Sequence, residues 1–255
     1  MNLVKKIFSY ILHILSRILF KIIPTEFRSK NQRNNYKIWS DEQKEKSYNH
    51  FKKYFNEALI WTNYQNINRT FNPKENEGSI REFAIKAALK NDTEIKLTYL
   101  EFGVYKARTI NFFSKFVKKI YGFDGFEGLK DVWKGTSTGV VGKFDLKKKI
   151  PEVNENVELI IGWVQDTLES FLKKNNPKIN FVHMDLDTYE SSKFVLEKIK
   201  PFLTKNAIIL FDELYNYPGW EVGEYKALKE TFKEDEYKFL AFEAIGGQVV
   251  IQLKN

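Results

Sequence analysis

The chain contains no cysteine. Disulfides, thiolate metal sites and a cysteine nucleophile are therefore excluded. Its histidines, His13, His50 and His183, are too few and too scattered for a histidine-rich zinc site, so any metal is expected to be bound by oxygen. A long uncharged hydrophobic run is also missing. Met1–Ile23 has the spacing of an amphipathic helix ended by Pro24, but Lys5, Lys6, His13, Arg17 and Lys21 interrupt it. A membrane span needs about twenty nearly uncharged residues, and burying His13 and Arg17 in a bilayer costs a few kcal/mol. No small-residue cleavage site follows, which argues against a signal peptide.

Two readings of this basic helix, residues 1–30, stay open. Through residues 1–23 it lies on an anionic membrane face, or it packs on the domain or on a second copy in a homo-oligomer. The expected location is cytoplasmic, at the inner membrane face in the first case. The formal net charge is +8, and residues 1–60 hold 12 Lys+Arg against 5 Asp+Glu, so the rest of the chain is nearly neutral. No nucleic-acid partner is expected, because basic residues are neither spread over the core nor interleaved with stacking aromatics. There is no internal repeat. With 43% hydrophobic residues in 255, the chain can bury the core of one large domain.

The most informative stretch is INFVHMDLDTYE, ending at Glu190, with its echo AIILFDEL at Ala207–Leu214. Each is a short apolar run that stops in carboxylates, Asp185 and Asp187 in the first, Asp212 and Glu213 in the second. Between them Phe194, Val195, Leu196 and Ile199 keep helical spacing up to Pro201, so the unit reads strand, helix, strand. A crossover of that kind makes the strands parallel and brings their acidic tips to one edge of a sheet. Crowded carboxylates repel and hold protons unless a cation sits among them, and an all-oxygen set suits Mg²⁺. The plainer alternative is that Asp187 or Thr188 merely caps the following helix.

Upstream, residues 31–76 are polar, with one helix expected from Asp41 to about Trp61, a helical extension or lid. Another helix is expected from Gly78-Ser79 to about Lys90, before a domain spanning 77–255. The first core strand, Leu97–Phe102, carries Glu101 and runs into Gly103-Val104-Tyr105 and a helix at Ile110–Lys118. That turn offers backbone N–H groups and a positive helix end to a ligand, although only one glycine of a dinucleotide fingerprint is present. The next strand ends at Asp124, where a carboxylate can accept from ribose hydroxyls. The pair points to an adenosine-bearing ligand without a pyrophosphate. A long loop, 125–144, follows. Trp163, after the strand Val157–Ile161, is read either as stacking on an adenine or as core. Tyr215–Trp220 is an aromatic loop, a helix is expected at Glu221–Phe232, and the chain closes in a β-hairpin.

The expected fold is thus α/β, a Rossmann-like, doubly wound and mostly parallel sheet with a C-terminal antiparallel hairpin. It resembles the class I S-adenosylmethionine-dependent methyltransferases. LEFGVYKARTI, YGFDGFEGLKDVW, LIIGWVQDTL, FVHMDLDTYESS and IILFDELYNYPGW resemble, in order and spacing, the macrocin O-methyltransferase family, which methylates sugar hydroxyls. The resemblance implies S-adenosylmethionine and Mg²⁺ as cofactors and a sugar or glycan precursor as substrate. It implies Asp185, Asp212 and Glu213 as metal ligands and Asp187 as general base. Glu101 and Gly103 would face the methionine part, Asp124 the ribose, and Val104, Tyr105, Trp163 and Asp185 would complete the cofactor site. The chain departs from the family pattern in two places: Ala107-Arg108 stand in the first turn where small residues are usual, and Glu213 stands where aspartate is usual. Competing readings are a catechol-type O-methyltransferase, a non-catalytic S-adenosylmethionine- or glycan-binding module, and a peripheral membrane scaffold.

Overall fold

The computed structural model describes residues 41–61, 79–91, 97–136, 139–243 and 247–254. The expected helix at Met1–Ile23 and the hairpin turn at Gly246 lie outside the described residues. Residues 41–255 form one compact unit. Its strands are β1 (Leu59–Trp61), β2 (Thr98–Phe102), β3 (Ile120–Asp124), β4 (Val157–Ile161), β5 (Ile179–Met184), β6 (Leu203–Phe211), β7 (Tyr237–Glu243) and β8 (Val249–Leu253). They make one eight-stranded sheet in the order β1-β7-β8-β6-β5-β2-β3-β4. β2 to β6 run parallel, and β8 is antiparallel to both β6 and β7. The doubly wound sheet with its antiparallel hairpin is as the sequence leads one to expect.

The helices are α1 (Asp41–Phe51), α2 (Ile80–Leu89), α3 (Arg108–Phe113), α4 (Val164–Asn175), α5 (Tyr189–Ile199) and α6 (Glu224–Thr231). Local chemistry sets their ends. The Ser79 hydroxyl accepts from the Glu82 N–H at the start of α2, and Asn176 closes α4 in the left-handed conformation, φ 39°. Thr188 stands at the N-cap of α5, but no side chain makes a capping hydrogen bond there. Asp187 is thus not used as a cap.

Two boundaries differ from the expected ones. The helix starting at Asp41 stops at Phe51 instead of reaching Trp61, and Leu59–Trp61 forms β1, parallel to β7. Isoleucine and tryptophan favour extended backbone, and the edge of β7 supplies the hydrogen bonds. The helix after the first turn is α3 and ends at Phe113, followed by a single 3-10 turn, Ser114–Phe116.

The core explains why the centre is rigid. All of β5 is buried, including Phe181, Val182 and Met184 at 0% exposure, each contributing about 2 kcal/mol. α1 adds a second, aromatic layer. Fully buried Phe51 meets Tyr215, Trp220 and Tyr225 edge-on, the Ser47 hydroxyl accepts from the Asn216 N–H, and His50 hydrogen-bonds the Tyr225 hydroxyl at 2.6 Å. The N-terminal part of the described chain therefore braces the loop that follows β6. From β2 the chain winds outward through β3 and β4, and from β5 it winds the other way. The crevice where β2 and β5 part, at their carboxyl ends, is where ligands bind in sheets of this kind.

Candidate active site at the carboxyl edge of the sheet

A cleft of about 550 Å³ opens at that crevice, lined by Gly103, Tyr105, Asp124, Gly125, Trp163 and the acidic tips of β5 and β6, among others. Its narrowest point explains Gly103. At φ +90° this residue passes so close to β5 that an added Cβ would sit 1.8 Å from the carbonyl oxygen of Asp185. Only glycine fits, and the same contact fixes where Asp185 leaves its strand.

Asp124 has a clear local task. Its Oδ2 accepts the N–H groups of Val104 and Tyr105 at 2.8 and 2.7 Å, and its Oδ1 accepts that of Phe126 at 2.6 Å. The carboxylate thus ties the turn after β2 to the end of β3 and lies on the cleft wall. Trp163 stands at the N-cap of α4, half-buried, with Lys130 Nζ over its ring at 5.6 Å. Ala107 is buried in the left-handed conformation, φ 59°, and Arg108 lines the cleft. Glu101 and Val104 are instead behind the wall. Glu101 is fully buried and accepts the Thr109 hydroxyl at 2.9 Å, while its other oxygen faces His183 Nδ1 at 3.2 Å.

The four carboxylates Asp185, Asp187, Asp212 and Glu213 all line the cleft. Asp185, Asp187 and Glu213 each bring an oxygen within 4.8 Å of the others, and a second such group is His183, Asp185 and Asp212. Their charge states differ sharply. Burial would raise Asp212, but the Arg81 guanidinium, 2.7 Å from its Oδ1, and the nearby His183 hold it well below the usual carboxylate range. Gln248 donates to the same Oδ1 and His183 faces it, so these partners all address one oxygen. Asp187, lacking such a partner, is pushed up to about 8 by burial and then by the Asp212 charge. Asp185 and Glu213 are raised well above normal for the same two reasons. Asp187 also sits in the left-handed region at φ 60°, a strained conformation for a non-glycine residue that is concentrated at functional sites.

Among the described residues the trio expected from the sequence, Asp185, Asp212 and Glu213, is not itself one of these close groups, but the set Asp185, Asp187 and Glu213 fits a hard divalent cation. It is oxygen-rich, it is crowded enough to retain protons without one, and Glu213 Oε2 is buried with no hydrogen-bond partner. Sequence reasoning did not find what surrounds it. Arg81 comes from α2, Gln248 from the residue just before β8, and fully buried Glu224, the first residue of α6, accepts the Glu213 N–H at 3.2 Å. His183 alone left a trace, as the polar residue in the otherwise apolar run FVHM. Burial disfavours its charge, yet the Asp212 and Glu101 carboxylates push it up to about 10. Its Nε2 is 3.8 Å from Asp212, too far for a hydrogen bond, so that attraction is between charges.

Two loops form the lips of the cleft. Residues 129–136 and 139–143 pair with each other through backbone bonds from Trp133 N to Gly139 O and from Leu129 N to Lys143 O. The other lip, 215–223, lies outside the residues that line the cleft and meets the first at Gly135 and Gly219, where a Cβ on either would come within 2.1 Å of backbone.

Residues 100–214 match the family model described as a methyltransferase domain. That stretch, from β2 to just past the tip of β6, is a methyltransferase domain. Among solved structures, the methyltransferase domain is similar to the calicheamicin methyltransferase CalS11, at 24% identity over 73% of this chain and 87% of that one, with TM-score 0.56. It is also similar to the O-methyltransferase NovP, at 16% identity over 69% and 78% of the two chains, with TM-score 0.50. Both likenesses concern the fold. No curated protein sequence matches the chain.

Proposed function

We propose that the methyltransferase domain transfers a methyl group from S-adenosylmethionine to a sugar hydroxyl of a glycan or glycan precursor, with Mg²⁺ held by Asp185, Asp212 and Glu213. The observation that carries this reading is the convergence of four carboxylates on the cleft, one held ionised by Arg81 and three pushed toward their protonated forms by burial and then by the Asp212 charge. A sugar acceptor is further supported by the likeness to CalS11, which is named a TDP-rhamnose 3'-O-methyltransferase.

The chemistry demands such a site. A sugar hydroxyl is too weak an acid to act as a nucleophile at neutral pH, and Mg²⁺, when bound, lowers the pKa of a coordinated hydroxyl. Asp187 takes the proton: it is buried beside the cluster in a strained turn, and a cation bound there would offset the burial and the Asp212 charge that otherwise push its pKa up to about 8, leaving it ionised to act as base. Asp124 holds the turn through the N–H groups of Val104 and Tyr105, and Gly103 leaves the backbone open there for the cofactor. Alignment of oxygen and methyl group by these rigid strand tips supplies much of the acceleration.

The test is transfer of a tritiated methyl group from S-adenosylmethionine to free sugars, nucleotide-linked sugars and a catechol, each with Mg²⁺ and with a chelator. Mg²⁺-dependent label in a sugar is expected. Label in the catechol alone would move the domain to the catechol-type class. Cofactor binding without transfer to any acceptor would favour a binding module.

A further inference from the structure

Among the described residues nine large apolar side chains are exposed, and six of them, Tyr105, Val132, Val140, Val141, Ile161 and Val222, sit at the carboxyl edge of the sheet or on loops leaving it. Scattered single apolar residues need no explanation, but a one-sided set does. Four are valines on the two lips. Val132, Val140 and Val141 are 53%, 59% and 56% exposed. The backbone bond between Trp133 and Gly139 brings Val132 level with Val140 across the fold-back. Val222, 42% exposed, lies on the opposite lip, three residues past the Gly135–Gly219 contact.

Charge identifies the occupant. Residues 125–150 carry six lysines against three acidic residues. Lys134 is paired with Glu190 and Lys148 with Glu127. Lys130 and Lys143 lie over the rings of Trp163 and Phe144, and Lys147 and Lys149 are exposed, with no ion pair for these four among the described residues. We infer that the lips of the cleft seat on an anionic lipid bilayer, with the valines in the headgroup boundary and the lysines on the phosphates. Both halves of the patch then have a partner, since apolar area and anionic attraction add in interfacial binding. The cleft would open toward the membrane plane, where a lipid-linked acceptor would be presented. This contact is separate from any made by residues 1–23, and it does not depend on the metal reading.

The absence of cysteine allows a direct test, because one introduced cysteine takes one label. Full-length Val140→Cys and Lys174→Cys, the latter on the end of α4 at the opposite edge of the sheet, are labelled with an environment-sensitive dye. Each is mixed with phosphatidylglycerol or phosphatidylcholine vesicles and followed by co-sedimentation and fluorescence. The expected result is a blue shift at position 140, quenched by spin-labelled lipid, with phosphatidylglycerol only, and no change at position 174. Changing Val132, Val140 and Val141 together to serine should weaken vesicle binding at least about tenfold. Co-sedimentation with no shift at position 140 would place the contact elsewhere in the chain and overturn the inference. So would failure to bind phosphatidylglycerol vesicles, or unchanged affinity in the triple variant with its melting temperature intact.

Discussion

The strand tips and the lips of the cleft face the same space but are built on opposite principles. The tips of β2, β5 and β6 grow from fully buried strands and are cross-linked by Glu101, His183, Asp212, Arg81 and Gln248, so the carboxylates cannot wander. The lips are glycine-rich, half-exposed and joined by a backbone contact at Gly135 and Gly219. Reactive groups stand on rigid elements and recognition is left to adaptable loops, the division expected of a site in which small displacements are costly for chemistry but tolerable for binding.

Substitutions at the tips should therefore change rate or folding, whereas those at the lips should change acceptor binding. The largest effect is expected from Asp187→Asn, which removes the proposed base while keeping shape. Turnover should fall about a thousandfold, equivalent to about 4 kcal/mol, with cofactor affinity unchanged by calorimetry. Next is Arg81→Met, which strands the Asp212 charge. Unfolding by denaturant should lose about 3 kcal/mol, and adding Asp212→Asn should restore most of it. A smaller effect is expected from Gly219→Ala. Its methyl group would meet the Lys134 carbonyl at 2.0 Å, so the lips must part. KM for the acceptor should rise with little change in melting temperature.

The smallest effect concerns α1. Burial, then Lys229 and Lys53, lower the pKa of His50, so the docked state prefers the neutral ring. An undocked histidine takes up a proton near 6.5, so docking is fully favourable above that pH and weakens as the pH falls through the depressed value. Hydrogen exchange in α1 should quicken below pH 6 in the wild type and change less in His50→Gln.

The same division decides what was legible beforehand. Asp185, Asp187, Asp212 and Glu213 announce themselves because an apolar run ending in carboxylates is a local pattern, as are Gly103 and Asp124 after their strands. Arg81 is 131 residues from Asp212, and nothing in the helix around it marks the pairing. Glu101 reads like another acidic strand end, but it lies opposite His183 in the β2–β5 register and is buried there. Leu59–Trp61 continues a helical pattern and becomes a strand only because β7, about 180 residues later, offers an edge. Long-range pairing, in each case, overrode or completed a local signal.

The measurement that bears most directly on the account is calorimetric titration of Mg²⁺ into the purified protein, beside Asp185→Asn and Glu213→Gln. The account predicts one saturable site in the wild type, lost in both variants while their melting temperatures and S-adenosylhomocysteine binding persist. No Mg²⁺ heat in the wild type, or equal binding in all three proteins, would contradict it and leave the carboxylate cluster without its cation.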